Sequence, residues 1–162
     1  MEQEITRIVT RLGTILAARG WLLATAESCT GGLIACKLTD VPGSSEWYVG
    51  GMVAYANSVK EELLGVPGAV LESYGAVSRE TVLAMVQGAA LRFNAQCALA
   101  VSGIAGPGGG SPEKPVGTVW IGWSVGGRHS AERFLFQGDR LSIKDQTARA
   151  ALKGLLTRLN QP

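Results

Sequence analysis

The sequence predicts an α/β protein: a three-layer α/β/α sandwich with a mixed, mainly parallel sheet and a late antiparallel hairpin. Two observations carry this expectation. Early in the 162 residues, helix-period stretches alternate with short, nearly all-apolar runs, the pattern of strands covered on both faces. Late in the chain, two alternating runs flank Gly126-Gly127, which is a hairpin signal. No repeat or linker interrupts the order, and this length suits one core better than two, so a single domain over 1–162 is expected.

Taken in order, Ile5, Ile8, Val9, Leu12, Ile15 and Leu16 set the first helix, and Arg19-Gly20 gives it a cationic last turn and a glycine stop. Trp21 to Ala26 follows as a buried strand that ends at the Ser28 turn. Ser28 or Thr30 is the expected cap of the next helix, whose Leu33, Ile34 and Leu38 run to the break Asp40-Val41-Pro42-Gly43. Trp47, Val49, Val53 and Tyr55 alternate with Tyr48, Met52 and Ala54, so the second strand should end at Tyr55, with Lys60 about one helical turn beyond. Glu61 to Gly65 continues as a short helix, broken by Val66-Pro67-Gly68, and Leu71 to Gly75 leads on to Ser78. Ser78 is placed to cap the helix carrying Val82, Met85, Val86, Ala89, Ala90 and Phe93.

Cys97 to Ile104 reads as a third buried strand. It empties into Ala105 to Pro115, too rich in glycine and proline for regular structure, and a loop of that length is expected to have a function. Val119, Ile121, Trp123 and Val125 alternate as a strand that Ala131 to Phe136 returns along, antiparallel. Trp120 and Trp123 are an odd number of positions apart, so they face two core layers rather than forming one stacking platform. The last helix, from about Ser142 to Leu159, gathers Ile143, Thr147, Ala150, Ala151, Gly154 and Leu155 on one face.

Composition narrows the function classes. With 46% hydrophobic and 17% charged residues the chain is globular rather than disordered. A net charge of +2, with Lys and Arg scattered, gives no basic face for nucleic acid. Cys29, Cys36 and Cys97 are odd in number and lack Cys-x-x-Cys spacing, and His129 is the one histidine, so neither a disulfide framework nor a metal site is expected. Glu2, Glu4, Arg7 and Arg11 interrupt the apolar pattern that a signal peptide needs, and no run approaches a membrane span, so a cytoplasmic location is expected.

The chemistry concentrates at Ala26-Glu27-Ser28-Cys29-Thr30-Gly31-Gly32, which sets a hydroxyl and a thiol at a strand-to-helix turn. Backbone N–H groups of Cys29, Thr30, Gly31 and Gly32 could meet an oxyanion there. Taken alone, Ser28 is equally a helix cap, and Cys29 is either a rival nucleophile or a small buried hydrophobe. Glu27 either orients a cation or caps the turn. A serine needs a proton acceptor; His129 falls at a hairpin strand with nothing to bring it to Ser28. A lysine serves if burial makes its amine neutral, and Lys60, like Ser28, follows a strand end, where residues of an α/β sheet converge on one crevice. Tyr55 could bridge the two by relaying a proton. Composition alone would read Lys60 as a solvated lysine beside Glu61 and Glu62. The loop Ser102-Gly103-Ile104-Ala105-Gly106-Pro107 lacks the Gly-Lys-Ser/Thr ending of a P-loop, yet its N–H groups and the Ser102 hydroxyl suit a phosphate or oxyanion. Arg140, in Gly138-Asp139-Arg140, supplies a guanidinium for a phosphate or for a structural ion pair.

Five segments in register carry a resemblance over essentially the whole chain: Ala26 to Gly32, Tyr55-x-Asn57-x-x-Lys60, Gly75-Ala76-Val77-Ser78, Ser102 to Pro107, and Lys114-Pro115-Val116-Gly117-Thr118-Val119. Together they resemble the CinA C-terminal domain family. The resemblance implies an amidohydrolase that converts nicotinamide mononucleotide to nicotinate mononucleotide and ammonia, with no cofactor and no metal. It implies Ser28 as nucleophile, Lys60 as general base, Tyr55 as its helper, Ser102, Gly103 and Gly106 at the site, and Arg140 as a candidate for the phosphate. It also implies a small-molecule nucleotide as partner, neither nucleic acid nor membrane, and by analogy a homodimer. Lys144 stands where the family pattern leads one to expect arginine. Two other classes stay open: a nucleotide-binding or regulatory domain without catalysis, and a cysteine hydrolase using Cys29.

Overall fold

Alternation along two central strands decides which helices cover which face. On β1 (Leu23–Glu27) and β3 (Cys97–Gly103), the side chains of Leu23, Cys97, Leu99 and Val101 enter one apolar core, while Ala24, Ala26, Ala98 and Ala100 enter another. The computed structural model describes residues 2–162; Met1 lies outside them. The first core is closed by α1 (Glu2–Arg19), α2 (Leu33–Thr39) and α6 (Arg140–Leu159), through residues such as Leu12, Leu16, Ile34, Leu38 and Leu155. The second is closed by α3 (Asn57–Leu64), α4 (Gly68–Tyr74) and α5 (Arg79–Arg92), through Leu64, Leu71, Val82, Met85 and Val86. Burying each of these large side chains contributes roughly 1.5–3 kcal/mol, so the two cores, not helix propensity, hold the elements. The alanine face lets α5 lie close: at Gly122 an added Cβ would come within 2.9 Å of the Val82 carbonyl oxygen.

The remaining strands are β2 (Tyr48–Val53), β4 (Thr118–Val125) and β5 (Arg128–Leu135), and the sheet order is β2-β1-β3-β4-β5. β1 is parallel to both β2 and β3, whereas β4 is antiparallel to β3 and to β5, so only β4 runs against the others. The sheet is therefore mixed, with the hairpin at its late edge, and helices cover both faces. From β1 the chain steps to β2 on one side and later to β3 on the other. This makes the C-terminal end of β1 a topological switch point, where α/β sheets open a crevice.

Several boundaries differ from the sequence expectation for identifiable reasons. Trp21 and Trp47 are apolar but lie outside the strands: Arg19 stacks over the Trp21 ring at 4.9 Å, and Trp47, 4% exposed, packs against the first core. β2 stops at Val53, so Tyr55 stands beyond the strand rather than at its end. Neither Ser28 nor Thr30 caps α2; its cap position is Gly32, at φ 103° and with no side-chain cap bond. Ser78 does cap α5, accepting from the Thr81 N–H at 3.2 Å. α6 begins earlier than Ser142 because Asp139 accepts from the Ser142 N–H at 2.9 Å and caps it at Arg140. Trp123 lies in the first core and Trp120 against the second, on opposite faces. Among the described residues no helix is long and apolar enough to cross a membrane.

Candidate active site

The register of the parallel strands sets three segments level. Glu27 pairs with Val53 on β2 and Val101 on β3, the Ser28 N–H donates to the Val101 carbonyl at 3.1 Å, and the Ala54 N–H donates to the Glu27 carbonyl at 2.8 Å. Ser28 and Tyr55, just beyond β1 and β2, and Ser102, near the end of β3, therefore line one cavity. α3 starts at Asn57, and Lys60, which closes its first turn, lines the same crevice.

Lys60 is not solvated. It is 1% exposed, and its Nζ donates to the Tyr55 carbonyl at 2.8 Å and to Ser28 Oγ at 3.2 Å. Removal from water pushes its pKa below the ordinary lysine value, and no carboxylate lines the surrounding cavity to oppose that shift. The cavity, of about 200 Å3, is lined by Ser28, Cys29, Tyr55, Asn57, Lys60, Ser102 and Arg140, among others. Asn57, Ala76 and Val77 belong to that wall without having been assigned to it from sequence; the family-like segments containing them were the available signal.

Each expected site residue has a definite place. Ser28 is 8% exposed and Ser102 1% exposed, both on the cavity wall, and Gly103 lines it too. A Cβ at Gly103 would sit 2.9 Å from the Thr118 carbonyl oxygen, so the close approach of β4 requires glycine. The Tyr55 side chain is 60% exposed and its hydroxyl accepts from Arg140 Nη2 at 3.2 Å. Its phenol does not bridge Ser28 and Lys60; its main-chain carbonyl holds the amine instead. The other Arg140 nitrogen, Nη1, donates to the Gly106 carbonyl at 2.7 Å, so Gly106 anchors the guanidinium and is not itself on the wall.

The turn after β1 is organised by Glu27, 1% exposed. Its Oε1 accepts from Thr30 Oγ1 at 2.6 Å and from the N–H groups of Gly32 at 3.2 Å and Ile34 at 2.9 Å, while Oε2 accepts from the Ala35 N–H at 3.0 Å. A carboxylate one residue before the serine thus replaces the hydroxyl cap that the sequence suggested. The Gly31 N–H donates to the Ser28 carbonyl and the Leu33 N–H to that of Thr30, each at 3.1 Å. Among the described residues this leaves the N–H groups of Cys29 and Thr30 without an acceptor, so Gly31 and Gly32 shape the turn rather than offer donors.

Cys29 is buried in the first core, and burial pushes its thiol up to about 12, so it stays protonated near neutral pH. His129 lies on β5 opposite Ser124, which pairs with Ala98 and through it with Ala24, at the other end of the sheet from Ser28. Among the described residues no three His, Cys, Asp or Glu side chains gather where they could hold a metal ion.

Comparison with known proteins agrees with this architecture. Residues 5–159 match the model of the CinA C-terminal domain. The chain is 53% identical over 152 residues to nicotinamide-nucleotide amidohydrolase PncC of Pseudomonas putida, covering 94% of this chain and 95% of that protein. It is 55% identical to a CinA-like protein of Akkermansia muciniphila, covering 87% of this chain but 34% of that longer protein. Among solved structures, competence/damage inducible protein CihA of Agrobacterium tumefaciens superposes with a TM-score of 0.93 at 44% identity, covering 98% of this chain and 96% of that one. With its mixed sheet, its switch-point crevice and these matches over nearly its whole length, the chain belongs to the CinA C-terminal domain family.

Proposed function

We propose that the protein is a nicotinamide-nucleotide amidohydrolase, releasing ammonia from nicotinamide mononucleotide through a Ser28/Lys60 acyl-enzyme. The observation that carries this reading is a buried lysine amine 3.2 Å from a serine hydroxyl, in a cavity without carboxylates. The high-coverage relative named for that activity supplies the substrate.

In the proposed cycle, neutral Lys60 accepts the Ser28 proton as Oγ attacks the carboxamide carbon. The N–H groups of Cys29 and Thr30 stabilise the negative oxygen of the tetrahedral intermediate. The Lys60 ammonium then gives its proton to the departing nitrogen, the C–N bond breaks, and ammonia leaves. Lys60, neutral again, takes a proton from water, the resulting hydroxide attacks the acyl carbon, and the proton returns to Ser28 as the carboxylate product is freed. The Tyr55 carbonyl keeps Nζ aimed throughout. Arg140, held by Gly106 and Tyr55 at the cavity wall, is the cation for the phosphate. The reading uses no cofactor and takes the chain as one cytoplasmic domain acting on a small molecule rather than on nucleic acid; a homodimer rests on family analogy and is read by sedimentation.

A cysteine hydrolase is disfavoured by the protonated, core-packed thiol of Cys29. A binding domain without catalysis is separated by a direct test. Purified protein incubated with nicotinamide mononucleotide should yield ammonia and nicotinate mononucleotide in equal amounts, whereas nucleotide binding with no ammonia would contradict the proposal.

A further inference from the structure

Three places outside the reaction centre carry chemistry or open surface, and two of them point to no ligand. In the cleft between β5 and the end of α6, Arg158 stacks over Trp123 at 3.7 Å, donates to Ser130 and Gly154, and pairs with Glu132, so its guanidinium is fully engaged. The groove between α4 and α5 sets Val70, Leu83 and Leu91 beside Glu80, Gln87 and Arg92, with nothing to indicate an occupant. The third place is Glu27, a fully buried carboxylate that the proposed cycle does not use.

We infer that Glu27 is a positioning residue for the reaction, setting which backbone N–H groups of the Ser28 turn are left to meet the oxyanion; this rests on the proposed function. A buried charge persists only when it is well hydrogen-bonded, and Glu27 meets that condition without any cation, through one hydroxyl and three N–H donors. Those bonds do two things. They engage the N–H groups of Gly32, Ile34 and Ala35, and they draw the Thr30 side chain toward the carboxylate and away from the cavity. With Gly31 and Leu33 bonded within the turn, Cys29 and Thr30 keep the unengaged N–H groups, directly after the nucleophile.

The carboxylate therefore acts through the conformation of residues 29–32 and not through its charge on the base. Among the described residues Lys60 makes no ion pair, and its pKa is lowered by burial, which Cys29 opposes; Glu27 takes no part in the shift. α2 is only seven residues long and has no side-chain cap at Gly32, so Glu27 is the side chain that adds to the main-chain bonds of Gly31 and Leu33 in fixing the peptide planes of this turn.

The test combines Glu27→Gln, Thr30→Val and the double variant, all in the full chain. Two rates are read: turnover of nicotinamide mononucleotide, and labelling of Ser28 by a fluorophosphonate followed by intact mass. Glu27→Gln keeps one acceptor oxygen but sets an amide N–H against the Ala35 N–H. It should lower kcat and the labelling rate together by about 10- to 100-fold, as expected for a displaced catalytic dipole, with KM within about 2-fold. The pH at which the Lys60 limb rises should not move. Thr30→Val, which loses only the hydroxyl donor, should fall in the same direction by a smaller factor. The double variant should fall by less than the product of the two single effects, because both act through the same carboxylate on the same turn.

If folded Glu27→Gln or Thr30→Val labels and turns over at the parent rates, with only melting temperature lowered, Glu27 is a structural cap and the inference is wrong. A shifted pH limb with full activity restored at higher pH overturns it as well, since that assigns the effect to charge on Lys60. Should Glu27→Gln not fold, Thr30→Val decides alone. A parent protein labelled at Ser28 that releases no ammonia contradicts the substrate and leaves the labelling rates to judge Glu27. A parent that is not labelled overturns both.

Discussion

At the scale of single residues, the central fact is a lysine whose surroundings favour the uncharged amine. Lys60 has its folded pKa depressed by burial, so between that lowered value and the ordinary lysine value near 10.5 the unfolded chain binds more protons than the native one. Stability contributed at this site is therefore lowest below the folded pKa and recovers as pH rises toward 10.5. Lys60→Met should abolish turnover yet raise the melting temperature at pH 6, with the gap over the parent narrowing by pH 9; thermal melts across that range check it. Activity carries the same sign, rising with pH as Lys60 loses its proton. Cys29, with its thiol pushed up to about 12, is a neighbour of the chemistry. Cys29→Ala keeps the backbone N–H, so it should retain turnover within a few-fold while losing about 1 kcal/mol of stability for the small cavity, measured by urea titration. Ser28 and Lys60 stand out in the sequence as candidates, but their environment does not. Beside Glu61 and Glu62, Lys60 carries no local sign of burial, which comes from its place against Ser28 and the Tyr55 carbonyl at the crevice. For Tyr55 the sequence displays the side chain, whereas the contact with Lys60 is made by its main-chain carbonyl.

Among the elements, those with a regular apolar period were legible and those set by a single tertiary bond were not. α1 and α5 were readable because their buried faces repeat at helical spacing and because Ser78 is a side-chain cap in the expected place. The cap of α2 was legible only as an alternative: the hydroxyls of Ser28 and Thr30 fit the usual rule, but it is Glu27, read either as a cation's partner or as a cap of the turn, that reaches α2 from β1. The start of β5 was obscured by its position at the sheet edge, where most side chains are exposed and alternation fades. Packing between α3 and α5 depends on Gly88: a Cβ there would overlap the Leu64 main-chain oxygen. Gly88→Ala, normally favourable inside a helix, should instead destabilise by about 1–3 kcal/mol in urea titration, the cost typical of overpacking. Because α3 carries Lys60, the same variant should lower kcat; a stabilised Gly88→Ala would show that α3 and α5 pack less closely than described.

For the whole molecule, the alternation of helical and apolar segments and the glycine-glycine turn were enough to predict layers, mixed sheet and hairpin. The order β2-β1-β3-β4-β5 was not legible, since it depends on which side of β1 each crossover lands, and only that order explains why Ser28, Tyr55 and Ser102 meet. The local residues left the Ser28 turn ambiguous between a helix cap and a nucleophile. The buried amine facing Ser28 favours the second, and membership of the CinA C-terminal domain family supplies the reaction to test. The most direct measurement is ammonia release from nicotinamide mononucleotide by purified Ser28→Ala beside the parent. A folded, nucleotide-binding variant with turnover reduced by at least about 10³-fold is the predicted result. Ammonia release by Ser28→Ala at the parent rate would contradict the serine–lysine account.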